Sequence, residues 1–153
     1  MLSKVLVLGV GNLLLKDEGV GVHVAHELMK MELPPQVEVI DAGTAALDMS
    51  HIISEADRLI VVDALKGGHE PGAIYRVRPE DLTITPAEFN VSLHQSNLIE
   101  TLMMIEQIGR RPPTIIIGVE PKEITWDLEL SPEIRARLPQ VIQLVLEEIS
   151  RSD

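Results

Sequence analysis

The chain has 153 residues, of which 24 are acidic and 13 are Lys or Arg, for a net charge of −11. The length fits one domain, taken as residues 1–153, and a hydrophobic content of 45% excludes wholesale disorder. The charge argues against nucleic acid as a partner, the absence of cysteine removes disulfides, Cys zinc sites and a thiol nucleophile, and no apolar run approaches the roughly 18 residues of a membrane span.

No signal-peptide pattern precedes the first strand, so a cytoplasmic protein is expected. Val5 to Val10 form a continuous apolar run, the pattern of a strand covered on both faces, and Gly11-Asn12 end it. Residues 18–32 turn helical, with Val20, Val24, Leu28 and Met31 on one face, until Pro34-Pro35 stop the helix. A second strand over 37–40 ends at Asp41-Ala42-Gly43-Thr44, a helix is expected over 45–55, and a third buried strand over 59–62 ends at Asp63. Residues 73–78 alternate weakly, as an edge strand does, and 79–93 look irregular. His94 opens a helix to Ile108, with Leu98, Leu102 and Ile105 on one face. Thr114 to Val119 make another buried strand, and 120–130 form a loop that holds Trp126. Ser131 and Pro132 suit the N-cap and first position of a last helix, which Pro139 should kink.

Strands alternating with helices predict an α/β fold: a three-layer α/β/α sandwich on a mostly parallel twisted sheet, of the phosphorylase/hydrolase-like kind. Ligands in such sheets bind beyond the carboxyl ends of the strands. That rule points to residues 9–18, 41–44, 63–68 and 118–121.

Several residues there bear chemistry. Gly9-Val10-Gly11 invites a dinucleotide reading, but Leu14 stands where the fingerprint needs a third small residue. Asp17 and Glu18 either complement the positive end of the first helix or face the crevice. Asp63 ends a buried strand, where a carboxylate must be hydrogen-bonded, paired or on a metal. Asp41 poses the same question in a turn-forming context. His23 and His26 fall away from the apolar helix face and read as solvated, as does His51, while His69 sits in a Gly-rich loop. His94 is a candidate ligand or general base. Glu18, Asp63 and His94 could meet in the crevice, and two carboxylates with one imidazole suit nickel, zinc or iron.

The order of these motifs resembles the [NiFe]-hydrogenase maturation proteases, which trim the C-terminus of the hydrogenase large subunit. The resemblance rests on Gly9-Val10-Gly11-Asn12 through Asp17-Glu18-Gly19-Val20-Gly21, on Asp41-Ala42-Gly43-Thr44, on Asp63-Ala64, on His94-Gln95 and on Gly118-Val119-Glu120-Pro121. It covers essentially the whole chain. It implies an endopeptidase, often grouped with the aspartic type, acting on a nickel-loaded large-subunit precursor. The nickel comes with the substrate, and another divalent ion can take its place in a crystal. By motif position Glu18, Asp63 and His94 would bind that metal, with Glu18 preferred over Asp17, and Asp41 would be needed for activity. The attacking water would be either metal-bound or activated by Asp41. Ala42 stands where the family has Gly, which would strain the turn if that position needed positive φ. A monomer without nucleic-acid or membrane partners is expected. A second reading, a peptidyl-tRNA hydrolase-like protein, shares the Gly-x-Gly-Asn opening. That family needs a His soon after the turn and a basic tRNA-binding face, whereas here Lys16-Asp17-Glu18 occupy the region and the net charge is −11. A third, a non-catalytic metal or nucleotide sensor, stays open on the residues alone.

Overall fold

The computed structural model describes residues 3–81 and 93–151. Its regular elements are β1 (Val5–Val10), α1 (Val20–Met29), β2 (Val37–Gly43), α2 (Ser50–Glu55), β3 (Arg58–Ala64), β4 (Ile74–Val77), α3 (Leu93–Ile108), β5 (Thr114–Val119), α4 (Pro132–Arg135) and α5 (Leu138–Ser150). The strands form one sheet in the order β2-β1-β3-β5-β4. The first three pairings are parallel, and β4 closes the edge antiparallel to β5.

Side chains alternate along each strand, so the sheet has two buried faces. On one face Val5, Val7, Ile60 and Val62 pack under α1 and α5, against Val24, Leu28, Val141 and Val145. On the other, Leu6, Leu8, Leu59 and Val61 pack under α2 and α3, against Ile53, Leu98, Leu102 and Ile105. β1 lies between β2 and β3 and is covered on both sides, hence its unbroken apolar run. The expected three-layer α/β/α architecture is the observed one. No helix of the described residues is long and apolar enough to cross a membrane.

Three local expectations change. The first helix is preceded by a 3₁₀ turn at Lys16–Gly19, so Glu18 lies in that turn rather than in α1. β2 and β3 run further than expected and carry Asp41 and Asp63 inside their last residues. Pro139 does not kink a continuous helix: the chain breaks at Ala136-Arg137, and Pro139 sits in the first turn of α5, where its missing N–H is harmless. The described elements thus bring the ends of β1, β2, β3 and β5 together at one edge of the sheet.

Candidate functional site

Gly11 lies at the centre of that edge. Its N–H donates to the Gly43 carbonyl at 2.9 Å, which ties the end of β1 to the end of β2. Its φ is +136°, and a Cβ there would stand 2.0 Å from the Glu18 carbonyl oxygen and 3.6 Å from Asp63 Oδ1. Only glycine lets the turn pass between these two acidic residues. Glu18 and Asp63 are both buried, at 6% and 5% exposure. Asp63 accepts a hydrogen bond from the Ala64 N–H at 2.8 Å. Its pKa is nevertheless held well above the usual carboxylate value, first by burial and also by the negative charge of Glu18, against the lowering effect of that N–H. Two carboxylates crowded out of water are an arrangement that a divalent cation relieves.

Asp41 lies opposite Gly9 in the parallel register, on the other side of β1 from Asp63. It is more open, with 37% of its side chain exposed. His26 Nε2 donates to Asp41 Oδ2 at 2.8 Å. His26 is exposed, as helical periodicity predicts, and it still reaches Asp41 because α1 packs over β2 as well as β1. His23 departs from expectation. It is half-buried, with a pKa lowered from 6.5 by burial first and by the charges of Arg135 and His26 next. His51 is exposed, as expected. The strain foreseen at Ala42 does not arise: the positive φ falls on Gly43, at +52°, and Ala42 is buried without it.

Asp17 has a different task from its neighbour. It is fully buried and accepts from the backbone N–H groups of Lys122, Glu123 and Ser131, at 3.0, 2.9 and 2.7 Å, and from the Ser131 hydroxyl at 2.7 Å. Ser131 therefore sits at the N-cap position of α4 but spends its hydroxyl on Asp17 rather than on the helix. The same loop is held at Lys16, whose left-handed φ of +51° is fixed by its N–H bond to the Asp127 carbonyl at 2.8 Å.

Glu120, after β5, was expected only as part of a motif. It is buried and accepts from the N–H groups of Gly67 and His69, at 2.8 and 3.2 Å, and from the Tyr75 hydroxyl. It thereby pins the loop that follows Asp63. Burial and then the bond to Glu120 push the Tyr75 phenol up to about 12.

His94 falls in the first turn of α3, and its side chain lies outside the described residues. Among the described residues no three Asp, Glu or His side chains gather as a metal set. What they supply is a pair of buried carboxylates, Glu18 and Asp63, with the more exposed Asp41 across β1.

A sequence profile for the family described as hydrogenase maturation protease matches residues 22–148. The hydrogenase expression/formation protein HupD of Bradyrhizobium diazoefficiens is 34% identical over 151 residues, covering 97% of this chain and 79% of that protein. The hydrogenase 2 maturation protease of Escherichia coli is 32% identical over 154 residues, covering 97% of this chain and 92% of the other. Among solved structures, the hydrogenase maturating endopeptidase HybD of E. coli superposes with a TM-score of 0.85 at 32% identity, over 95% of this chain and 91% of its own.

Proposed function

The chain belongs to the hydrogenase maturation protease family and is a peptidase, and on that premise we propose that it removes the C-terminal peptide from a nickel-loaded [NiFe]-hydrogenase large-subunit precursor. The observation that supports this reading is that Glu18 and Asp63 are both buried and that the charge of Glu18 raises the pKa of Asp63. In the proposal these two carboxylates, with His94 as the third ligand, read the nickel that the precursor brings. The metal is part of the substrate, so cleavage waits until the precursor is loaded. The absence of cysteine fits that division, because thiolate ligands to the nickel would come with the precursor.

The peptide bond is hydrolysed by water. In the proposal Asp41 removes its proton, a role supported by its accessibility, its position across β1 from Asp63 and its hydrogen bond from the His26 N–H. Exposed Leu14, Trp126 and Leu128 flank the 3₁₀ turn that carries Glu18, where Leu14 and Lys16 pair with Asp127. They offer apolar surface to a folded precursor. The family match leaves the peptidyl-tRNA hydrolase reading unsupported.

The test is cleavage and pull-down of purified nickel-loaded precursor. Asp41→Asn is expected to bind precursor and to lose cleavage by at least about 100-fold, the scale of general-base catalysis. His94→Ala is expected to lose both. Undiminished cleavage by Asp41→Asn would remove Asp41 from the base role.

A further inference from the structure

The opposite edge of the sheet holds a cavity of about 340 Å³ at the starts of β3 and β5, the end of β4 and the end of α5. Five of the chain's eight arginines line it: Arg58, Arg76, Arg78, Arg111 and Arg151. In a chain of net charge −11 that is a marked local excess of positive charge. Two carboxylates line the same space. Glu148 is buried and takes Arg76, with Arg151 Nε at 3.5 Å and Arg58 Nη2 at 3.9 Å from its carboxylate. Glu80 takes Arg111 Nη2 at 2.7 Å. Asp81 and Glu106 stand further off, 3.7 Å from Arg78 and 3.9 Å from Arg111.

Each guanidinium has five N–H donors. Arg58 spends its two terminal nitrogens on the Arg151 and Glu148 carbonyls, and the acceptors of the other arginines are mainly the two lining carboxylates. One donor nitrogen is left over. Arg111 Nη1 is buried and has no hydrogen-bond partner among the described residues. A buried charged donor without an acceptor is costly unless something occupies the space beside it.

We propose that this cavity binds a small, multiply charged oxyanion. Planar guanidinium groups match phosphate and carboxylate oxygens in pairs, which favours such a ligand over a simple halide. The volume suits a molecule of pyrophosphate or citrate size rather than a large cofactor. The site is distinct from the peptidase edge: the length of β3 separates them, about 20 Å at ~3.3 Å per residue. The inference therefore stands or falls apart from the proposed cleavage reaction.

The experiment is calorimetric titration of the full chain with pyrophosphate, and separately with citrate, at matched ionic strength. Saturable binding of one equivalent of either is expected; the two arms show whether phosphoryl or carboxylate oxygens are preferred. Arg111→Gln is expected to weaken it by at least about tenfold, the effect of losing one charge-assisted contact. Arg78→Ala changes a largely exposed side chain, keeps the fold, and is also expected to weaken binding. Arg135→Gln, which lies outside the cavity beside Glu129, leaves it unchanged. No saturable binding of either anion, wild-type affinity in both cavity variants, or an equal loss in Arg135→Gln would overturn the proposal.

Discussion

Asp63 is a liability to the metal-free protein. It is buried beside the charge of Glu18 and relieved by one N–H bond. Its folded-state pKa lies above the unfolded value, so the folded protein holds a proton that the unfolded chain has lost. Its favourable contribution is therefore full below about pH 4 and is lost as pH rises through the folded value. Asp63→Asn is expected to raise stability at neutral pH by about 1–2 kcal/mol and to remove that part of the pH slope, as read by melting temperature in chelator. Ala42 carries the opposite expectation. Its backbone needs no positive φ, so Ala42→Gly restores the family residue and gains nothing. It is expected to cost about 0.5–1 kcal/mol through chain entropy, with cleavage unchanged in the precursor assay.

At the scale of elements, Asp17 joins parts of the chain far apart in sequence. Its carboxylate holds Lys122, Glu123 and Ser131, and so fixes both ends of the loop between β5 and α4 against the turn that carries Glu18. Asp17→Ala leaves three backbone N–H groups without their acceptor. It is expected to lower stability by about 3 kcal/mol in urea unfolding, more than any surface acid in the chain. Nothing local in the sequence marks this task, because the partners lie more than 100 residues away. His26 is a similar case: helical periodicity exposes it, and only the packing of α1 over β2 brings it to Asp41. Strands were readable for the converse reason. The runs 5–10 and 114–119 are apolar throughout because both sheet faces are covered, a demand felt residue by residue. Asp41 and Asp63 were legible as candidates because a carboxylate at the end of such a run needs an explanation. The partners that explain them were not. The break before Pro139 followed from the same limit. Proline forbids a helix interior but does not say on which side the chain will turn.

For the whole molecule, the parallel topology separates two kinds of charge. Asp41, Asp63 and Glu18 lie at the carboxyl ends of the strands or just beyond them, and five arginines line the cavity at the other end, around Glu148. Asp17 and Glu120 are buried as hydrogen-bond acceptors, while exposed acids such as Glu38, Glu55 and Glu129 help keep an acidic chain soluble. The carboxyl-end pair is the centre of the functional proposal, and it predicts a dependence that no purely structural acid would have. The direct measurement is cleavage of purified precursor, prepared with and without nickel, by the wild-type chain and by Asp63→Asn. The wild type should cleave the loaded precursor and leave the nickel-free one intact, and Asp63→Asn, though at least as stable, should cleave neither. Equal cleavage of loaded and nickel-free precursor by the wild type, or wild-type rates from Asp63→Asn, would contradict the assignment of Glu18 and Asp63 as the groups that read the metal.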